Sequence, residues 1–186
     1  MGIEIKTSIK IWEGYFAVPM KEENNAILIT TGSKDTNKLD TPGIELKGVV
    51  DGYQFLEDVF RDGIDNYLRR TPQKYHLGID VIVVGGGDTA LDCARTALRL
   101  TQGNIMIAYR RTEYDMPADP IMLQEAKEEG IEFVFLAEPK AYQGHDGSVT
   151  SIIMNRMLLG APDHSGRRSP EPIPNRNLRW NVLVYR

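Results

Sequence analysis

The sequence predicts an α/β fold, in which a parallel βαβαβ unit is followed by an antiparallel β-meander. The first observation is an unbroken apolar run from Val81 to Val84, typical of a strand buried on both faces of a parallel sheet. The second is the motif Gly85-x-Gly87-x-x-Ala90, the dinucleotide fingerprint in its final-Ala form. The third is an alternation of strand and helix patterns from residue 79 to residue 136, before turn-separated strands. Together they predict a Rossmann-like dinucleotide-binding unit.

Each small residue of the glycine motif has a separate physical role. Gly85 permits a tight turn, Gly87 lets the backbone approach a pyrophosphate, and Ala90 lets the following helix lie close to the strand. The beginning of that helix offers unpaired N–H groups and a partial positive charge to phosphates. We therefore predict that the pyrophosphate is bordered by Gly85, Gly86, Gly87, Asp88 and Thr89.

The helix after the glycine loop is expected to end at Gly103. A carboxylate beside a pyrophosphate is unfavourable unless it turns back onto the helix, so we predict that Asp88 caps this helix. Thr89-x-x-Asp92 also resembles a capping box.

Two adjacent arginines follow the second predicted strand, Ile105 to Tyr109. An acidic residue at this distance from the glycine loop would hold the ribose 2′-OH of NAD. The chain instead has Arg110 and Arg111, whose guanidiniums suit a 2′-phosphate. The sequence therefore favours NADP(H) over NAD(H). A Rossmann-like unit that has lost its ligand is the alternative.

The following segments complete the parallel unit and begin the meander. Asp119, with Pro120 after it, predicts a helix start, Gly130 predicts its end, and Ile131 to Leu136 predicts a third strand. The meander is expected to have a turn at residues 144–147, a strand at 149–159, a polar loop at 160–169, a proline-rich run at 170–174 and a short strand at 180–185. We expect Arg167 and Arg168 to lie at a solvated hairpin tip.

The region before residue 79 predicts less regular structure. Apolar residues between Ile3 and Ile11 indicate one strand or two short ones, and Ala26 to Gly32 indicates a second buried strand. From Asp51 to about Arg70 apolar residues recur at helical spacing, which predicts one amphipathic helix or two that are split at Gly63.

Composition excludes several classes of protein. The chain of 186 residues has 41% hydrophobic and 26% charged residues and a net charge of −4, which argues against nucleic-acid and anionic-membrane surfaces. No stretch approaches the roughly 20 apolar residues of a membrane span. The one cysteine, Cys93, is expected to be buried, and it indicates a reducing, cytoplasmic compartment. With three histidines besides, we expect no metal site.

The combined motifs resemble a known family. The segment from Val84 to Ala97, with Ala108-Tyr109-Arg110-Arg111-x-x-x-x-Met116-Pro117-Ala118, is similar to the small (beta) subunit of NADPH-dependent glutamate synthase and related FAD/NAD(P)-dependent oxidoreductases. Residues 128–133 and 166–174 extend the match, and residues 26–32 resemble the end of a flavin-domain segment. The resemblance implies a flavoprotein with two dinucleotide domains, in which NADPH passes hydride to FAD.

The resemblance also implies that the chain is a central fragment. It divides the chain into a remnant of the FAD domain (residues 1–50), a connecting helix and linker (51–78) and the NADP(H)-binding domain (79–186). The FAD fingerprint of the relatives is not in this sequence. Thr31 and Gly32 would approach FAD in an intact relative, but we do not expect this chain to hold FAD without that fingerprint.

Two functions follow as hypotheses. The leading one is the NADP(H)-binding part of a flavin-dependent oxidoreductase, inactive in isolation and with no catalytic acid, base or nucleophile of its own to nominate. The alternative is a non-catalytic nucleotide-binding or partner-docking module of a split oxidoreductase. The expected partners are the nicotinamide dinucleotide and a complementary oxidoreductase subunit or FAD-domain segment. Bare docking surfaces would also favour self-association.

Overall fold

The computed structural model describes residues 2–5, 7, 24–30, 40–63, 80–164 and 166–181. The chain divides into two compact units, residues 1–36 and 37–186. In the first unit, residues 24–30 form no strand, and Leu28 and Ile29 are 88% and 63% exposed. The predicted buried strand is therefore wrong for these residues, because an apolar run becomes a strand only where a neighbour pairs with it. Thr31 and Gly32 lie outside the described residues.

The predicted strand near the amino terminus is also wrong for the described residues of that segment. Residues 2–5 and 7 form no strand and are exposed, with Ile3 and Ile5 at 91% and 80%. The alternating apolar pattern has no described neighbouring strand to pair with.

The second unit contains the predicted parallel sheet. Its strands are β1 (Asp80–Val84), β2 (Asn104–Tyr109) and β3 (Glu132–Phe135), in the order β1-β2-β3. Val84 pairs with Ala108, and Ala108 pairs with Val134, so the three carboxyl ends lie at one edge of the sheet. β1 is half-buried rather than fully buried, because it is the outermost strand of this sheet among the described residues.

Three described helices pack on one face of this sheet. They are α1 (Gly52–Asp62), α2 (Asp88–Leu98) and α3 (Pro120–Glu128). α1 ends at Asp62 and is followed by Gly63, where φ is +72°, which agrees with the predicted alternative of a break at Gly63; residues 64–79 lie outside the described residues. The core between helices and sheet includes Phe55, Val59, Leu91, Ala94, Ile105 and Ile107.

The start of α3 confirms the sequence pattern. The Asp119 carboxylate accepts a hydrogen bond from the backbone N–H of Ile121 at 2.7 Å, and Pro120 is the first helical residue. Gly130, with φ of +89°, lies just past the end of the helix. This geometry fixes the connection between β2 and α3, which lies at the carboxyl edge of the sheet.

The meander covers the other face. It consists of β4 (Ala137–His145), β5 (Ser148–Pro162) and β6 (Arg168–Asn181), paired antiparallel in sequence order. Ala108 of β2 is buried against Ile152 and Met154 of β5. The described part of the second unit therefore has three layers, with the parallel sheet between helices and meander.

β6 differs from its prediction. The proline-rich run expected as a loop and the short strand expected at 180–185 are parts of one strand, with Pro170 opposite Leu159 and Pro172 opposite Met157. β6 pairs with β5 alone among the described strands, and an edge strand tolerates proline because half of its N–H groups have no partner strand. Residues 182–186 lie outside the described residues.

Residues 40–50 are bonded to the meander within this unit. The backbone N–H of Tyr142 donates to the carbonyl of Pro42 at 2.8 Å, and the backbone N–H of Val149 donates to the carbonyl of Lys47 at 2.9 Å. Gly43 has φ of +82°, and a Cβ there would lie 2.3 Å from the Tyr142 carbonyl oxygen. None of the described helices has the length and apolar character to cross a membrane.

Candidate nucleotide-binding site

The glycine loop connects β1 to α2 at the carboxyl edge of the sheet. Gly85 has φ of +148°, a conformation that side-chain-bearing residues rarely adopt, and its N–H donates to the Ala108 carbonyl at 3.0 Å. A Cβ at Gly85 would lie 3.2 Å from the Cβ of Ala90, so strand and helix approach closely. The steric roles predicted for Gly85 and Ala90 are confirmed by these contacts.

Gly86 is the residue of the loop with the least space. A Cβ there would lie 2.5 Å from Cδ2 and Cε2 of the Tyr109 ring. That ring is held in place because its hydroxyl donates to the Asp115 carbonyl at 2.9 Å. The glycine motif does not specify this contact, and the aromatic residue that ends β2 is its only signal in the sequence.

The beginning of α2 has free hydrogen-bond donors. Gly87 is the N-cap residue and has no side chain to cap the helix, and the first helical bond runs from Ala90 N–H to the Gly87 carbonyl at 2.9 Å. No described residue accepts a hydrogen bond from the N–H groups of Gly87, Asp88 or Thr89. Around a Cβ at Gly87 the nearest atom would be Pro117 Cγ at 4.0 Å. The arrangement suits an anion that approaches the backbone closely.

The prediction that Asp88 caps its own helix is wrong. The Asp88 carboxylate accepts a hydrogen bond at 2.8 Å from the backbone N–H of Asp119, the N-cap residue of α3. The predicted Thr89–Asp92 capping box is also wrong, because α2 begins at Asp88 and Thr89 already lies inside the helix. Asp88 thus ties the glycine loop to the start of α3, and the negative charge of its carboxylate faces that second helix.

Arg110 is the exposed member of the arginine pair. Its side chain is 49% exposed, and Nη1 lies 3.2 Å from Oε1 of Glu138, which is 30% exposed. Exposed ion pairs of this kind contribute only about 0–1 kcal/mol, so Arg110 can exchange Glu138 for a competing anion at little cost. Glu138 was not recognised from the sequence, since it lies 28 positions away on β4.

Arg111 has a different environment from its neighbour. Its side chain is 5% exposed, with Nη2 lying 2.7 Å from Oδ2 of Asp163 and Nε donating to the Arg168 carbonyl at 2.7 Å. Asp163 was predicted only as part of a polar loop. The structure therefore separates two arginines that the sequence placed in one role.

The single cysteine lies in α2, the helix that follows the glycine loop. Cys93 is buried, as predicted, with its thiol donating to the Gly52 carbonyl at 3.3 Å. Burial, and secondarily the charges of Asp92 and Asp51, raise the pKa of the Cys93 thiol to about 12. Such a thiol is not a nucleophile at neutral pH. Within the described ranges no cluster of three or more histidine, cysteine or acidic residues could hold a metal ion.

Known proteins resemble this chain in sequence. It is 33% identical over 181 residues to a putative glutamate synthase [NADPH] small chain of Cereibacter sphaeroides, with 92% of this chain and 41% of that protein aligned. It is 34% identical over 176 residues to the glutamate synthase [NADPH] small chain of Halomonas elongata, covering 94% of this chain and 37% of that protein. The chain thus spans less than half the length of both relatives.

The fold is also found among solved structures. FprA of Mycobacterium tuberculosis in complex with NADPH superposes with a TM-score of 0.63 at 16% identity, covering 83% of this chain and 47% of FprA. At this identity the likeness concerns the fold. A sequence profile described as pyridine nucleotide-disulphide oxidoreductase matches residues 5–158. Because that match covers most of the sequence, the chain belongs to the pyridine nucleotide-disulphide oxidoreductase family.

Proposed function

We propose that this chain binds NADP(H) at the carboxyl edge of β1 and β2 and is the nucleotide-binding part of a flavin-dependent oxidoreductase. One observation carries the proposal. The N–H groups of Gly87, Asp88 and Thr89, which have no acceptor among the described residues, and the exposed guanidinium of Arg110 follow two adjacent strands at the same edge of the sheet. The names of both relatives include NADPH, which supports the choice of nucleotide.

The glycine loop is the proposed pyrophosphate site, bordered by residues 85–89. The loop brings bare backbone to the ligand, and the positive end of the α2 dipole stabilises its charge. Asp88 takes part through its backbone N–H, because its carboxylate is bonded to the Asp119 N–H instead of facing the loop.

Arg110 is the proposed contact for the ribose 2′-phosphate. A phosphate accepts two parallel hydrogen bonds from one guanidinium, which makes it a stronger partner than the exposed Glu138 carboxylate. Arg111, the second arginine predicted for this role, already uses two of its donors on the meander.

The proposed chemistry belongs to the bound cofactors. When bound, NADPH supplies a hydride and FAD accepts it. The residues of this chain bind the dinucleotide and fix its position relative to the flavin. We propose that a complementary oxidoreductase subunit, or FAD-domain segments, completes the flavin-binding site. A cytoplasmic location and self-association remain predictions.

Equilibrium titrations with NADPH and NADH test nucleotide binding. The expected result is saturable binding of NADPH that is tighter than that of NADH, since only NADPH presents a 2′-phosphate to Arg110. Equal affinities would contradict the proposed site, and so would an absence of NADPH binding to a folded sample.

The alternative is a non-catalytic module that binds nucleotide or docks a partner. The chain spans 41% and 37% of the length of the two relatives, so their names do not establish turnover by this chain. An assay of NADPH oxidation with added FAD and an artificial electron acceptor separates the two proposals. Turnover that requires added FAD supports the reductase, whereas NADPH binding without turnover, even with a complementary subunit, supports the alternative.

A further inference from the structure

We propose that Arg111 is a positioning residue: with Asp163 it fastens the corner after β2 to the meander and so fixes the backbone from which Arg110 reaches the 2′-phosphate. The nature of the ligand rests on the proposed function, whereas the contacts that carry the inference are independent of it. A direct contact between Arg111 and the phosphate is the competing interpretation.

The guanidinium of Arg111 is committed to the hairpin between β5 and β6. Its Nε and Nη2 atoms form one edge of the planar group, and both donate to this hairpin, to the Arg168 carbonyl and the Asp163 carboxylate, each at 2.7 Å. This is the edge with which arginine grips a phosphate in the side-on manner. Nη1 has no acceptor among the described residues.

Asp163 also shapes the turn to which Arg111 is bonded. Its backbone N–H donates to the Arg167 carbonyl at 2.7 Å, and its carbonyl accepts from the Gly166 N–H at 2.9 Å. Its second carboxylate oxygen accepts from the Arg167 N–H at 3.3 Å. The carboxylate therefore links the folded turn to the buried charge of Arg111, and removing it would leave that charge without the carboxylate that compensates it.

The backbone of Arg111 is attached to the meander as well. Its carbonyl accepts from the Leu136 N–H at 3.1 Å, and the Leu136 carbonyl accepts from the Met157 N–H at 2.8 Å. Main chain and side chain of Arg111 thus reach β5 and its hairpin by separate routes. Arg110 comes directly before this anchor, and its partner Glu138 lies on β4 of the same sheet. Movement of the meander would therefore shift Arg110 and Glu138 together.

The direction in which Asp163→Asn changes NADPH affinity distinguishes a positioning role of Arg111 from direct phosphate binding. If Arg111 acts through Asp163, Asp163→Asn weakens NADPH binding about fivefold or more and leaves NADH within about twofold, because only NADPH uses Arg110. If Arg111 binds phosphate directly, Asp163→Asn frees the guanidinium, and NADPH binding is unchanged or tighter. Unchanged or tighter binding of NADPH would overturn the proposal.

Arg111→Lys provides the second variant. Lysine keeps the charge but has no planar fork. If Arg111 is a positioning residue, Arg111→Lys should therefore lose as much NADPH affinity as Arg111→Gln. A direct phosphate ligand would retain much of its affinity as lysine, and that result would contradict the proposal. Arg179→Gln is the matched control, since this exposed arginine lies on β6 away from the hairpin turn. Arg179→Gln should change neither the affinity for NADPH nor the affinity for NADH.

A measurement on the unchanged protein remains available if these variants fail to fold. Coupling is reciprocal, so NADPH binding should slow amide hydrogen exchange at Asp163, Gly166 and Arg167 more than NADH binding does. Protection of the glycine loop with no protection of the turn would overturn the inference and leave the proposed function standing. Absence of protection at both places would count against the proposed function itself.

Discussion

The glycine loop at residues 85–87 and the arginine corner at residues 110 and 111 lie at one edge of the sheet but are built in different ways. The loop is defined by missing side chains, because a Cβ at Gly86 would enter the Tyr109 ring. The corner is defined by the partners of its side chains, Glu138 for Arg110 and Asp163 for Arg111. The difference teaches that steric requirements can be inferred from a short motif, whereas the role of a charge depends on distant residues.

The largest effect is expected from Gly86→Ala in the glycine loop. The new Cβ would lie 2.5 Å from a ring that the Tyr109–Asp115 hydrogen bond holds in place, and overpacking typically costs about 1–3 kcal/mol. We expect a lower melting temperature and a loss of both NADPH and NADH binding, measured by thermal unfolding and calorimetry.

Gly87→Ala is the matched control in the same loop. Its Cβ would have no neighbour nearer than 4.0 Å, so the melting temperature should fall less than in Gly86→Ala, with only the cost of a poorer N-cap residue, while both nucleotides bind more weakly. Wild-type binding by Gly87→Ala would contradict close approach of the pyrophosphate at this residue. An unaffected Gly86→Ala would contradict the view that sterics define the loop.

The second largest effect is expected from Arg110→Ala at the corner. Loss of a charge-assisted hydrogen bond, worth about 1.5–3 kcal/mol, should weaken NADPH binding about tenfold or more and leave NADH binding unchanged. Arg176→Ala, an exposed arginine on β6, is the control. Equal losses of affinity for the two nucleotides would show that Arg110 does not distinguish them. The arginine corner would then not differ from the glycine loop in its effect on nucleotide preference.

These two regions also show what the sequence could predict. The tight turn at Gly85, the cap at Asp119 and the parallel strands were predicted correctly, because they depend on local backbone geometry and periodicity. The partners of Asp88 and Arg111 could not be predicted, since they lie 31 and 52 positions away and are set by packing of the layers. The apolar residues 26–30 show the same limit, because a strand pattern does not supply a neighbouring strand.

A smaller effect of opposite sign is expected from Glu138→Gln. The Glu138 carboxylate competes with phosphate for Arg110, and an exposed ion pair contributes only about 0–1 kcal/mol. Its removal should tighten NADPH binding by about threefold, with no change for NADH, in parallel titrations at low ionic strength. Weaker NADPH binding would show that Glu138 holds Arg110 in a productive position instead of competing for it.

The smallest effect on nucleotide binding is expected from Glu129→Gln, at the opposite end of α2 from the glycine loop. Hydrogen bonds from Arg95, and then Arg99, lower the pKa of the Glu129 carboxyl from 4.5 to about 2. Because the pKa is lower in the folded state, this stabilisation is complete above about pH 4.5 and is lost as the pH falls towards 2.

Glu129→Gln should therefore lower the free energy of unfolding at pH 7 and flatten its pH dependence between about pH 4.5 and 2. Denaturant titrations at several pH values measure both quantities. NADPH affinity should not change, since the network joins α2 to the end of α3 away from the glycine loop. A change in nucleotide preference would contradict the restriction of the site to the carboxyl edge.

The most direct test of the central claim is a calorimetric titration of the full chain and of its Arg110→Ala variant with NADPH and NADH. We predict that the unchanged protein binds NADPH more tightly than NADH and that the variant binds both nucleotides equally. Absence of NADPH binding to the folded protein, or a preference for NADPH that survives in the variant, would contradict the account.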